Sequence, residues 1–176
     1  METKMEWDGG VYEGEVRNQV PHGKGVLTWP NGNRYEGEFQ FGFIHGKGRF
    51  KWEDGSVYEG EFQDDTCYGW GVKTWRDGSR YEGEWKDDIK HGKGTYVWPG
   101  NYRYEGEFQN NTFNGFGTYH WPDGTLDRGV WENGKLKHCE SPLVCRSFSP
   151  EKPVKYFRSL EMIGITKKNK HLLKIL

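Results

Sequence analysis

Tyr12, Tyr35, Tyr58, Tyr81 and Tyr104 stand 23 residues apart, and each opens the tetrapeptide YEGE. One step further on, Asp127 takes the tyrosine's place. Glycine keeps the same step at Gly14, Gly37, Gly60, Gly83, Gly106 and Gly129, and a bulky residue keeps it at Val16, Phe39, Phe62, Trp85, Phe108 and Trp131. Gly23, Gly46, Gly69, Gly92 and Gly115 form another column, each followed two residues later by a second glycine. Trp29, Trp52, Trp75, Trp98 and Trp121 form the last. No insertion disturbs the period. A fixed period of this length is the signature of an array whose units bury their apolar faces only by stacking on their neighbours. The array is the fold.

Each unit reads as two short strands. In YEGEF, Tyr35, Gly37 and Phe39 share one face while Glu36 and Glu38 take the other. In GKGRFKW, Gly46, Gly48, Phe50 and Trp52 alternate with Lys47, Arg49 and Lys51. PNGNR, EDGSV, RDGSR and PDGTL join one unit to the next and carry the Asn-Gly or Asp-Gly pair that predicts a type I′ hairpin turn. The fourth unit reads PGNYR, which predicts a different turn there. The connection within a unit, from Phe39 to Gly46, reads as longer and variable. Two alternating turns predict an all-β, single-layer antiparallel meander of roughly ten or eleven strands.

Composition sharpens this picture. A mean hydropathy of -1.00 would fit a disordered chain, but nine Trp, ten Tyr and ten Phe do not. Rings alternate with glycines along one face, so a missing Cβ leaves room for a neighbouring ring against the backbone. The opposite face carries Glu13, Glu15, Glu36 and Glu38 with Lys24, Lys47 and Lys93, whose cross-strand pairs keep it solvated. Lys73 interrupts the apolar column of Leu27, Phe50, Tyr96 and Tyr119.

Catalysis does not fit the pattern. Glu13 and Glu15 lie on the order of 7 Å apart, a spacing that inverting glycosidases use. The pair recurs at Glu36/Glu38, Glu59/Glu61, Glu82/Glu84 and Glu105/Glu107 on an exposed face, and an active site does not come in equivalent copies along a ladder. The chain is read as no enzyme, with no cofactor. His22, His45 and His91 share a column, but neighbouring copies would sit about 10 Å apart, too far to chelate one zinc ion. His138, Cys139 and Cys145 lack a fourth ligand at zinc-finger spacing, so no metal is expected. HGKG lacks the frame of a phosphate-binding loop. A net charge of -1 gives no general attraction to nucleic acid. Three cysteines, with no secretory leader and no long apolar run, point to a reducing cytoplasm.

The domain organisation follows the columns. Residues 1–11 read as a degenerate half repeat, with Asp8 and Gly9 in turn phase. The array spans 12–138, with units 12–34, 35–57, 58–80, 81–103 and 104–126 and a partial unit at 127–138. A linker follows at 139–152, and a tail at 153–176. Within the tail, Val154, Phe157, Leu160 and Ile163 step by three and predict a short amphipathic helix. That stripe either plugs the ring face until a partner displaces it or caps the array permanently.

These columns resemble the MORN repeat family. The resemblance implies a twisted single-layer sheet of successive hairpins whose aromatic face forms a long groove. It also implies a scaffold role, since relatives serve in radial spokes, junctional membranes and complexes with myosin tails or other helical partners. Some relatives append a lipid kinase or methyltransferase domain, for which residues 139–176 are too few. The expected function is therefore docking of an extended or helical segment of a partner protein. The expected groove residues are Phe39, Phe50, Trp52, Tyr58, Phe62, Trp75, Tyr81, Trp85, Tyr96, Trp98, Tyr104 and Phe108. The apolar connection at Phe41, Phe43 and Ile44 would contribute specificity. A cytoskeletal or ciliary setting follows from the family alone. The alternative is a peripheral membrane or phospholipid-associated adaptor acting through the basic tail segment TKKNKHLLKIL. Unpaired first and last strands would also permit end-to-end association.

Overall fold

The computed structural model describes residues 3–140, 145 and 146. Strand β1 (Thr3–Trp7) precedes β2 (Gly10–Arg17) and β3 (Val20–Thr28). Then come β4 (Arg34–Gln40), β5 (Phe43–Lys51), β6 (Val57–Gln63) and β7 (Thr66–Thr74). After these lie β8 (Arg80–Lys86), β9 (Ile89–Trp98), β10 (Tyr102–Gln109) and β11 (Thr112–His120). The last two are β12 (Leu126–Glu132) and β13 (Lys135–Cys139). All lie in one sheet in chain order, and each pairs antiparallel with its sequence neighbours. The sheet is open, with β1 and β13 as its edges. It is the expected meander, but with thirteen strands. The additional strands are the half repeat before Tyr12, anchored by packing of Met5 and Trp7 on the core, and the partial unit after Asp127. The helix expected around Val154, Phe157, Leu160 and Ile163 lies outside the described residues.

The repeat signature has a packing cause. Gly37 sits directly opposite Gly48, as do Gly60 and Gly71, Gly83 and Gly94, and Gly106 and Gly117. The tyrosine of the same unit lies across each glycine pair: a Cβ on Gly60 would come within 2.5 Å of Gly71 Cα and 2.7 Å of the Tyr58 hydroxyl. Beyond the glycine pair the register shifts by a bulge, which leaves Glu38, like Glu15, Glu84 and Glu107, without a partner on the following strand. The tyrosine hydroxyl then donates to that displaced carbonyl. Tyr35 bonds Glu38 O at 3.0 Å, Tyr58 bonds Glu61 O at 3.0 Å, and Tyr81 bonds Glu84 O at 3.0 Å. Gly46 and its equivalents hold the bulge in left-handed backbone, at φ of 65° for Gly46.

Neighbouring units are joined ring to ring. Tyr12 meets Phe39 edge-on at 4.9 Å, Tyr35 meets Phe62 at 5.2 Å, and Tyr58 meets Trp85 at 5.4 Å. Tyr81 meets Phe108 at 5.0 Å and Tyr104 meets Trp131 at 5.5 Å. Each such pair contributes about 0.5–1.5 kcal/mol beyond the area it buries. All five tyrosines are fully buried, so a single-layer sheet has built a core from one face. The other face carries exposed ion pairs, such as Arg34–Glu36 at 2.7 Å and Arg49–Glu59 at 2.6 Å, each worth at most about 1 kcal/mol.

The turn assignments from sequence are reversed. At PNGNR, EDGSV, RDGSR and PDGTL only the glycine is left-handed, as at Gly32 (φ 91°) and Gly55 (φ 90°). The residue before it turns its side chain onto the backbone instead: Asp54 Oδ1 accepts from Ser56 N at 2.8 Å, and Asp77 Oδ1 from Ser79 N at 2.9 Å. With Gly55 N donating to Trp52 O at 3.0 Å, this is a type I turn closed by a glycine bulge, not type I′. The type I′ geometry appears at the connection within each unit, which read as a longer loop. Asp64 and Asp65 (φ 47° and 67°), Asp87 and Asp88 (50° and 65°), and Asn110 and Asn111 (50° and 68°) are left-handed at both central positions. The bulge absorbs the extra residues, so that strands continue to the turn. The fourth unit does differ, with both Gly100 and Asn101 left-handed.

At the far edge Cys139 and Cys145 form a disulfide. Cys145 also bridges Leu126 of β12 in parallel, and Arg146 pairs with Asp123 at 2.7 Å. Cys139 and Cys145, weighed with His138 as an incomplete ligand set, hold each other instead, and this bond does not fit the reducing setting expected from the few cysteines.

Candidate functional site

The ring face is the surface that the repeat builds, and the structure divides the expected groove residues by depth. Tyr58, Tyr81 and Tyr104 have no exposed surface, Phe62, Trp85 and Phe108 are buried against them, and Phe39 is buried against Tyr12 and Tyr35. Phe50, Trp52 and Tyr96 are also buried, Phe50 lying against Trp52 at 4.6 Å between ring centroids. Of the twelve expected residues, only Trp75 and Trp98 keep substantial open surface. They belong to a half-buried line with Trp29, Tyr102 and Trp121. Burial raises the hydroxyl pKa of every core tyrosine, that of Tyr12 to about 12, with the nearby Glu15 adding to the effect. These hydroxyls stay protonated as hydrogen-bond donors.

The apolar connection splits in the same way: Phe41 is 66% exposed and Phe43 is exposed, while Ile44 is buried. The largest exposed rings stand elsewhere. Tyr68 and Trp70 sit on the glutamate face, opposite Glu61 and Glu84, in the positions that His45 and Lys47 fill one unit earlier.

Two lysines lie on the ring face. Lys73 occupies the column of Leu27, Phe50, Tyr96 and Tyr119, between Tyr58 and Tyr81 on the flanking strands. Its Nζ is 4.0 Å from the centre of the Trp52 ring and 5.7 Å from that of Trp75. Lys90 occupies the column of Pro21, Ile44, Cys67 and Phe113 and is only 4% exposed. Its Nζ faces Trp75 at 5.3 Å, Tyr96 at 5.4 Å and Tyr81 at 5.8 Å. Burial, and then the neighbouring Lys73, lower the Lys90 pKa to about 8. Burial likewise lowers that of Lys73, against the pull of Cys67, Asp88 and Asp54. Lys73 was visible in the sequence as a break in its column. Lys90 was not singled out there, although its column carried the same signal.

A set of turn residues also escaped the sequence reading. Asp65, Asp88 and Asn111 each clamp the preceding unit from the second turn position. Asp88 N donates to Cys67 O at 3.1 Å while Asp88 Oδ1 accepts from Cys67 N at 2.8 Å. Asp65 does the same with Ile44, and Asn111 with Lys90. Only a short acceptor side chain that tolerates left-handed backbone fits both tasks.

Comparison with curated proteins returned no match. The family model described as MORN repeat matches residues 12–34, 35–57, 58–80, 81–101 and 104–126. These matches cover more than half of the chain and coincide with the units that carry the tyrosine, the glycine pair and the bulge. The chain belongs to the MORN repeat family.

Proposed function

We propose that this chain is a non-enzymatic scaffold whose ring face docks an extended or helical segment of a partner protein. MORN repeats are in general binding repeats for proteins or membranes, and that much holds here through the family. The finer reading rests on one observation: Trp75, Trp98, Tyr102 and Trp121 form a half-open aromatic line along a face that, among the described residues, no second layer covers, Arg146 alone lying over Trp121. Aromatic residues on a rigid backbone are the preferred anchors of protein interfaces. The buried tyrosines beneath serve by holding that line in place. A cytoskeletal or ciliary assembly is the corresponding proposal for its place in the cell, and it comes from the family resemblance; the Cys139–Cys145 disulfide weighs against the reducing cytoplasm expected from the cysteines.

Short random peptides selected on the immobilised full chain test this reading. Binding of the selected peptides should fall by about tenfold or more in a Trp75→Ala/Trp98→Ala variant, in keeping with the loss of interface anchors. It should survive Tyr68→Ser/Trp70→Ser on the opposite face. The converse pattern, or a selection that yields no binder, overturns it. A thermal melt of each variant separates lost docking from lost folding.

A further inference from the structure

Lys73 and Lys90 are anomalous on a face whose other units fill the same two columns with apolar residues. Neither ammonium makes an ion pair or a side-chain hydrogen bond among the described residues, and both stand over aromatic rings. Cation–π contact compensates part of the loss of water, but a buried charge without a counter-charge remains unfavourable. The carboxylates whose fields reach Lys73 act from a distance, and their oxygens are bonded elsewhere. Asp54 accepts from Ser56 N at 2.8 Å and from Ser56 Oγ at 3.0 Å. Asp88 accepts from Cys67 N at 2.8 Å. One aromatic ring, Trp75, faces both ammoniums, so the two positive charges share a single spot beside the half-open aromatic line.

We propose that Lys73 and Lys90 form an acid-reading point on the docking face, where the partner segment seats an Asp or Glu carboxylate between flanking apolar side chains. Lys73, the more exposed of the two, makes the direct contact; Lys90 lies deeper and adds its field. Three features select this occupant. The charge requires an anion. The surrounding rings of Trp52, Trp75, Tyr81 and Tyr96 require apolar neighbours on either side of it. The depth of Lys90 requires a slim group that projects from a backbone, whereas a bilayer presents a broad plane of headgroups. A carboxylate arriving there relieves the repulsion between the two ammoniums and gains charge-assisted hydrogen bonds in a poorly hydrated place. The face would thereby distinguish an acidic amphipathic segment from a merely apolar one, a role in specificity that ring packing cannot supply.

This inference rests on the docking reading, and one experiment separates their failures. Peptides selected on the full chain are compared on wild type, Lys73→Met, Lys90→Met and Trp75→Ala/Trp98→Ala, each peptide also being made with its acidic residue changed to the amide. Methionine keeps the length and packing of lysine without the charge. The expected result is an enrichment of peptides with Asp or Glu between apolar residues. Their affinity should fall about tenfold or more on Lys73→Met, less on Lys90→Met, and equally on amide substitution, with no further loss when both changes are combined. Peptides that require the tryptophans but ignore both lysines and the acidic residue overturn the acid-reading point and leave docking intact. Peptides indifferent to the tryptophans as well overturn both. Sedimentation with phosphatidylserine vesicles supplies the remaining arm: vesicle binding lost on Lys73→Met/Lys90→Met overturns the peptide occupant in favour of lipid.

Discussion

Tyr58 and the glycine pair Gly60–Gly71 show how a single column sets the tolerance of the whole sheet. The ring lies where a Cβ would stand, and its hydroxyl bonds the carbonyl of Glu61 at the bulge. Gly60→Ala would place its methyl 2.5 Å from Gly71 Cα and 2.8 Å from Trp70 O, which is backbone on both counts. It is expected to destabilise the fold by about 3 kcal/mol or more, at the upper end of overpacking, read from urea unfolding. Tyr58→Phe removes only the hydroxyl bond and is expected to cost about 1 kcal/mol. Lys90 supplies a pH-dependent test. Its folded pKa of about 8 lies below the 10.5 of a free lysine, so the unfolded chain binds more protons between those values and folding strengthens as pH rises through that window. The penalty is fully present below pH 8, and at 1.36 kcal/mol per pKa unit it amounts to about 3 kcal/mol. Lys90→Met should therefore be the more stable protein at neutral pH, with its advantage over wild type shrinking as pH is raised from 8 towards 10.5. Taking the difference between the two proteins cancels Cys67 and the tyrosines, whose raised pKa values weaken the fold at high pH in both.

At the scale of the hairpin, the two kinds of turn divide the labour. The glycine-bulge turns after Trp29, Trp52, Trp75 and Trp121 end a unit, while the type I′ turns tie it to the unit before. Asp88 shows the requirement, being left-handed at φ 65° and bonded to both the N–H and the C=O of Cys67. Asp88→Asn should be nearly neutral, because Asn111 performs the same task on Lys90 one unit later. Asp88→Ala loses the acceptor and keeps a Cβ in left-handed backbone, for a loss of about 2 kcal/mol. Asp88→Gly loses only the acceptor and should fall between them, as Gly42 and Gly134 do naturally at the same turn position. Melting temperatures of the three variants measured together give the order.

For the molecule as a whole, stability is a sum over units and their interfaces, since each strand hydrogen-bonds only with its neighbours in sequence and the ring contacts join one unit to the next. Deleting residues 35–57 in phase would bring Tyr58 into the place of Tyr35, leaving every column intact across the join. The shortened array is expected to fold cooperatively, with an m-value reduced in proportion to the surface no longer buried. Deleting 35–45 would instead set a tyrosine column against the wrong partner and is expected to abolish the cooperative transition. Guanidinium unfolding followed by tryptophan fluorescence distinguishes the two.

The 23-residue columns by themselves determined the class, the single layer and the order of strands, because an uninterrupted period leaves side chains no other way to stack. They also placed the rings together, since alternation along a strand fixes the face. Turn type was not legible: Asp-Gly serves a type I′ turn or a type I turn with a bulge equally well. In the structure Asp54 and Asp77 bond the backbone two residues on and leave the left-handed position to the glycine alone. Depth was not legible either. Tyr58 and Trp75 read alike as groove aromatics, yet one is wholly enclosed and the other half open. Lys73 and Lys90, seventeen positions apart in the chain, meet at the ring of Trp75 only because two antiparallel reversals bring β7 and β9 to either side of β8. Periodicity sets which face a side chain takes, but burial and charge pairing arise between strands and exist only once the sheet has closed over its own rings.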